Sequence, residues 1–295
     1  MERNWITQGI VLKQHPIGEN HLGCLIATEY RGNVQVILHG AASAKGKLRR
    51  GSEILSEHRF YLYEDPKNSS IKVTDVDNSI QLDLLRNSLI GYTCATLGAE
   101  IMIHLHTENS PDIYRLFSGL LRGLEQVEAL RSNEGDLSQD KNGRHNYIDI
   151  TLTNSDTNRP YKKVVNSLSI TSVFLWKLME TLGILPDLYT CVDSEEPLED
   201  QTSHYYSLTM SGFVNIAKSN GRVINELLEA RPNLLTLLFP GIKVVRWIIE
   251  QSFSRASVEP LPDIALPSLT LLSAEIIEHY LGRKLKSLDM LRGLM

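Results

Sequence analysis

The first 80 residues alternate short apolar runs with clusters of turn-forming residues, and that grammar restricts the region to a small β structure. The runs cover residues 5–12, 22–28, 33–38, 53–63 and 71–76. Between them lie Pro16-Ile17-Gly18, Tyr30-Arg31-Gly32-Asn33, residues 40–51 and Glu64-Asp65-Pro66-Lys67-Asn68. Gly32 supplies the positive φ that a tight hairpin needs. In the fourth run Phe60 and Leu62 alternate with Arg59, Tyr61 and Tyr63, the period of a half-buried strand. Five strands in about 75 residues suit a small closed barrel. The OB-fold is the five-stranded case that binds oligonucleotides.

After residue 80 the spacing changes. Leu82, Leu85, Leu89, Leu97, Ile101 and Leu105 recur at three- and four-residue intervals and their sums, which predicts an amphipathic helix. Pro111-Asp112 opens another, and residues 173–182 form a third, stopped by Gly183 and Pro186. Residues 223–230, 242–253 and 269–281 are further helix candidates. The expected fold class is therefore α+β multidomain: an OB-fold barrel over residues 1–79, then a mostly α-helical domain over 80–295. Residues 131–163 are rich in Ser, Asn, Asp, Gly and Thr, with only Tyr147 to Ile150 suited to a strand. They read as a flexible insertion, longer than ordinary connections.

The loop after the third run carries Lys45, Lys47, Arg49 and Arg50, while the chain as a whole has a formal charge of −5. Four cations within six residues leaving a barrel form a place for a phosphate backbone to bind. Gly40, Ala41, Ala42, Ser43, Ala44 and Gly46 would keep the loop unobstructed for an approaching strand. Arg31 at another hairpin tip extends the candidate face; Lys13 and Arg59 are weaker members, open to pairing with a glutamate. Tyr61 and Tyr63 are open to base stacking or to barrel packing. A second cluster, Arg283, Lys284 and Lys286, closes the chain; for any single residue of it, a helix C-terminus that attracts cations is a better explanation than a DNA contact.

Three widely spaced cysteines, Cys24, Cys94 and Cys191, do not suggest a disulfide framework and fit a reducing cytosol. No signal-peptide pattern opens the sequence. The most apolar stretch, residues 233–253, is interrupted by Pro240-Gly241, Lys243, Arg246 and Glu250, so no membrane span is expected. His104 and His106 stand two apart, roughly 200° around a helix, and cannot face one ion. Walker, GxSxG and HExxH patterns are missing, and the chain does not read as an enzyme.

Several segments together resemble the RecO family of recombination mediators. The matching residues are Gly9-Ile10-Val11-Leu12-Lys13, Gly18-Glu19, Thr28-Glu29 with Gly32, and His39-Gly40-Ala41 through Lys45-Gly46-Lys47. Leu182-Gly183-Ile184-Leu185-Pro186-Asp187-Leu188 before Cys191 is similar to the family's "LGxxPxLxxC" helix ending. Leu281-Gly282-Arg283-Lys284-Leu285-Lys286-Ser287 is similar to its "LGxxLKS" ending. The resemblance implies a non-enzymatic, cofactor-free protein of the bacterial cytoplasm, nucleoid-associated when active. It implies binding of single- and double-stranded DNA, strand annealing, and work with RecR to load RecA on DNA covered by single-strand-binding protein, whose C-terminal tail is a further partner. The charge pattern makes Arg31, Lys45, Lys47, Arg49, Arg50, Lys13, Arg283, Lys284 and Lys286 the candidate DNA-binding residues.

This chain departs from the family at its zinc ribbon. Cys191 keeps the first ligand position, but Ser194, Asn215 and Lys218 stand where the other cysteines would be, and His204 alone would not complete a tetrahedron. A degenerate, metal-free lobe over residues 186–222 is expected, held by Tyr205, Tyr206, Phe213 and Ile216. Six carboxylates between Asp187 and Asp200, without a lysine or arginine among them, should make it repel DNA. The alternatives are an OB-fold module fused to a helical hydrolase using His104 or His204, and a pure interaction scaffold.

Overall fold

The computed structural model describes residues 3–67, 69–80, 82–105, 110–134, 150–153, 160–215 and 234–295. They form two compact units, Met1–Glu125 and Gln126–Met295.

The first unit is built on a closed barrel of β1 (Asn4–Ile17), β2 (His21–Thr28), β3 (Gly32–Leu38), β4 (Glu57–Glu64) and β5 (Ile71–Ile80), in the order β1-β2-β3-β5-β4. One long strand closes it: the start of β1 pairs with β4, from Asn4 opposite Tyr63, and its end pairs with β2, from Gly9 opposite Thr28 to Ile17 opposite His21. A register shift between Val11 and Lys13 lets the strand bend from one partner to the other. β1 outruns the apolar run at residues 5–12 because its last turn-ward residues, Lys13 to Pro16, are exposed and lie beyond the core. That core joins Val11, Cys24, Ile26, Val36, Leu38, Phe60 and Leu62.

Two helices complete this unit, α1 (Leu89–His104) and the start of α2 (Pro111–Glu134). The expected helix from Leu82 begins only at Leu89, where the Ser88 side chain caps it by accepting from Gly91 N–H; Leu82 and Leu85 are buried ahead of it. A methyl group on Gly98 would sit 2.7 Å from Leu120, so glycine permits the close approach of α1 and α2. The barrel shares its compact unit with α1 and the start of α2.

In the second unit, α3 (Ser167–Leu182) is buried almost throughout and packs on α5 (Leu266–Leu281). The Trp176 indole N–H donates to the Leu269 carbonyl at 3.2 Å, and the Ser172 and Thr270 hydroxyls meet at 2.7 Å. Gly183 ends α3 at φ 70°, a left-handed cap that favours glycine. Two three-stranded sheets flank these helices in sequence. One is β6 (Ile150–Thr153), β7 (Pro160–Val164) and β11 (Leu261–Pro262); the other is β8 (His204–Ser207), β9 (Gly212–Val214) and β10 (Leu234–Leu237). α4 (Gly241–Glu250) and α6 (Lys286–Leu294) are the remaining long helices described. Of the segment 131–163, expected as a flexible insertion, the described residues belong to the end of α2 and to the paired strands β6 and β7; residues 135–149 and 154–159 lie outside the described residues. The helix expected over 223–230 lies outside the described residues. Among the described residues, no helix is long and apolar enough to cross a membrane.

Candidate nucleic-acid interface

The basic loop is an anchored structure. Its root is fixed where Gly40 N–H donates to His21 Nδ1 at 3.0 Å and Ala42 N–H to the Asn20 carbonyl at 3.2 Å. Ala41 and Leu48 enter the barrel core, and a 3-10 turn over Arg49–Ser52 buries Gly51 and Ser52. Gly46 is required by the loop itself, because a Cβ there would lie 2.2 Å from the Gly40 carbonyl oxygen. The loop thus folds back on its own root.

The anchoring leaves Lys45, Lys47, Arg49 and Arg50 exposed. Among the described residues Lys45, Arg49 and Arg50 make no ion pair, whereas Lys47 Nζ lies 3.1 Å from Asp75. The Lys47 hydrogen bond holds the Asp75 carboxyl below its ordinary value. Of the four loop cations, Lys47 is thus the one already facing a carboxylate. The sequence hides this pairing because Asp75 lies 28 residues further on.

Arg31 does not join that cluster. It precedes β3, whereas the loop follows it, so the two occupy opposite ends of one strand. Its guanidinium lies 4.2 Å from the centroid of the Trp5 ring, a partner that no sequence pattern announces. Lys13 is exposed on β1 opposite Leu25, and Arg59 is exposed on β4 between Gln8 and Asp77. Tyr61 and Tyr63 alternate with buried Phe60 and Leu62 and stand half-buried on the outer face.

The C-terminal cations occupy the turn between two helices. Gly282 caps α5 at φ 63°, Arg283 and Lys284 are exposed, and Lys286 begins α6. Leu285 between them is fully buried, and its N–H donates to Glu278 Oε2 at 2.7 Å. Leu272 and Ile276 of α5 are buried, while Tyr280 is 52% exposed.

A further polar site in the first unit is not visible in the sequence. Buried Glu57 accepts hydrogen bonds from Tyr114 Oη at 2.9 Å, Ser118 Oγ at 3.0 Å and Arg122 at 2.9 Å. These groups line a cleft of about 550 Å³ with Gln8, Glu29 and Arg115. Glu57 stands beside His58 and Arg59 in β4, so the strand pattern does not single it out, and its partners lie 57 to 65 residues away.

In the degenerate lobe Cys191 is buried, and its Sγ accepts the Asn215 backbone N–H at 3.3 Å. Burial alone would push the thiol up; hydrogen bonding from Ser194 and from the Ser194, Asn215 and Asp193 backbone outweighs it and holds the thiol below its ordinary value. The described side chains do not fit a tetrahedral zinc: Ser194 and Asn215 supply no thiolate, and Lys218 lies outside the described residues. Among the described residues no three His, Cys, Asp or Glu side chains converge on one point. Tyr206 and Phe213 pack edge to face at 5.3 Å, Tyr205 is half-buried, and Ile216 falls outside the described residues. Arg246 enters the acidic loop, pairs with Asp200 and donates to the carbonyls of Leu188 and Leu198. His204, a residue of the hydrolase alternative, is 2% exposed against Phe213 and out of a substrate's reach.

Two family profiles match this chain. "Recombination protein O N terminal" covers residues 1–79, and "Recombination protein O C terminal" covers residues 161–289. Curated relatives align over most of its length. A DNA repair protein RecO of Acetivibrio thermocellus is 22% identical over 98% of this chain and 96% of its own. One from Heliobacterium modesticaldum is 24% identical over 83% of this chain and 81% of its own. One from Gloeothece citriformis is 25% identical over 72% of this chain and 62% of its own.

Proposed function

Because this chain belongs to the RecO family, we propose that it acts in recombinational DNA repair as a DNA-binding mediator. In this reading it binds single- and double-stranded DNA, anneals complementary strands, and works with RecR and the tail of single-strand-binding protein to load RecA. It does so in the bacterial cytoplasm, without a cofactor and without catalysing a reaction of its own.

One observation carries the reading most: a loop whose apolar residues plug the barrel while Lys45, Arg49 and Arg50 stand exposed without a carboxylate. A cation held on a fixed backbone loses less entropy on meeting a phosphate than one on a free coil. Backbone phosphates present the same charge whatever the sequence, so binding is sequence-tolerant and salt-sensitive. Arg283 and Lys284, exposed in a turn whose Leu285 is buried, form a second cationic point fixed in the same manner. Lys13 and Lys286 are weaker contributors.

The experiment is a titration of labelled single-stranded and duplex DNA at several salt concentrations, with a strand-annealing assay alongside. Binding that weakens steeply with salt, together with accelerated annealing, supports the reading. Salt-independent binding, or none at low salt, removes it.

A further inference from the structure

We infer that the β2–β3 hairpin tip is a second grip on single-stranded nucleic acid, in which Tyr30 stacks a base, Arg31 holds a phosphate and Trp5 positions Arg31. This rests on the nucleic-acid reading above and adds to it a substrate preference and a positioning residue.

The tip is built before any ligand arrives. Thr28 Oγ1 accepts the Arg31 N–H at 3.1 Å and donates to the Gly32 carbonyl at 2.8 Å, which closes the turn around Gly32 at φ 61°. On one flank Asn33 Nδ2 donates to the Met102 carbonyl at 2.7 Å. On the other, the tip's own carboxylate, Glu29, is taken by Arg115 at 3.0 Å. That ion pair matters for Arg31, because the nearest acid in sequence is already committed elsewhere. Among the described residues Arg31 makes no ion pair.

Trp5 explains the geometry. A guanidinium stacked on an indole keeps its N–H donors in the plane, free at the edge, where they match two oxygens of a phosphate. The Trp5 ring, whose centroid lies 4.2 Å from the Arg31 guanidinium carbon, offers that support without taking an N–H donor. Beside it Tyr30 is 57% exposed, an aromatic face with nothing apolar required of it by the barrel core. A cation and an exposed ring on adjacent residues form the elementary unit of single-strand binding, where stacking needs unpaired bases. A duplex, with its bases already stacked, meets only the cation.

The two grips are separate. β3 runs the seven residues from Gly32 to Leu38 between the tip and the root of the basic loop, so a strand touching both must travel the length of β3, about 23 Å. Engagement at both ends would favour oligonucleotides long enough to bridge them.

The test uses the full chain and labelled oligo(dT) of about 20 nucleotides, longer than a single OB-fold site. An abasic strand of equal length and a duplex serve as comparisons. Tyr30→Ala should weaken oligo(dT) binding roughly tenfold, with its salt slope unchanged, and leave the abasic strand and the duplex unaffected. Arg31→Ala should reduce the salt slope by about 0.7. Trp5→Leu and Arg31→Lys, which both keep the charge but lose the guanidinium–indole stack, should each lower affinity without lowering the slope. Trp5→Phe should behave as the parent. Tyr30→Ala binding oligo(dT) as tightly as the parent overturns the inference, as does an equal weakening on the abasic strand. If those variants are silent while the basic loop still controls binding, the grip fails and the function stands. If the parent binds no oligo(dT), both fail.

Discussion

The Tyr114 hydroxyl donates to Oε1 of Glu57 at 2.9 Å, setting a carboxylate of the barrel against the second helix of the same unit. Burial, with the Glu57 charge adding to it, pushes the Tyr114 hydroxyl up, so it stays a donor throughout any practical pH range. Ser118 and Arg122 complete the shell around this carboxylate, and nothing in the strand pattern alone announces it.

Tyr114→Phe should therefore cost about 1.5–3 kcal/mol, the usual range for a hydrogen bond to a charged group. Ser118→Ala should cost less than that, since Tyr114 and Arg122 remain. A double-mutant cycle of Tyr114→Phe with Glu57→Gln, read by denaturant unfolding, should show coupling. Additive effects would mean that this hydrogen bond contributes nothing to holding α2 on the barrel.

Leu285→Ala should destabilise the protein by about 2–5 kcal/mol, because a fully buried leucine leaves a cavity. Its neighbours should behave differently. Arg283→Glu with Lys284→Glu should leave the melting temperature close to that of the parent and lower single-strand affinity at low salt. A double variant that binds as tightly as the parent would reduce this cluster to a helix-terminal feature.

His58 yields a pH dependence. It is fully buried, Nε2 lies 2.7 Å from Ser56 Oγ, and burial holds its pKa below the ordinary histidine value. The folded state thus resists protonation more than the unfolded chain does. Its contribution is complete above about pH 6.5, the unfolded value, and is lost as pH falls toward the lower folded value. Melting temperature should drop between neutral pH and pH 5, and His58→Gln should flatten that drop. An unchanged pH profile in the variant would place the acid sensitivity elsewhere, for instance at buried His204, which is shifted in the same direction.

Zinc content tests the degenerate lobe. With Cys191 bonded by the Asn215 N–H and with Ser194 in a cysteine's place, protein produced in zinc-supplemented medium and then dialysed against chelator should carry far less than one zinc per chain. One tightly held zinc per chain would mean that other side chains have rebuilt the site.

The barrel is legible in the sequence because its turns and alternation are local signals, as with Phe60 and Leu62 against Tyr61 and Tyr63. The family is legible because its motifs recur at Gly9–Lys13, before Cys191 and at Leu281–Ser287. Strand lengths are less so: β1 continues through Ile17 because it pairs with β2 beyond the core, across the polar residues Lys13, Gln14 and His15 that break the apolar run. The start of α1 is hidden because Leu82 and Leu85 are buried without being in the helix. At the candidate site the sequence identifies the cations but not their partners. Lys47 meets Asp75, and Arg31 meets Trp5, each across strands that only the closed barrel brings together. The β6–β7 hairpin is obscured for a compositional reason, since its surroundings are rich in turn-forming residues.

The most direct test of the account is the salt dependence of single-stranded DNA binding when Lys45, Lys47, Arg49 and Arg50 are all replaced by alanine. These side chains are exposed on a loop anchored by Ala41 and Leu48, so the variant should fold and melt as the parent does. Every phosphate that is no longer neutralised lowers the slope of log affinity against log salt by about 0.7, and three to four such phosphates predict a total reduction of about 2 to 3. A slope and an affinity equal to those of the parent would contradict the account and leave the loop as a solvated turn.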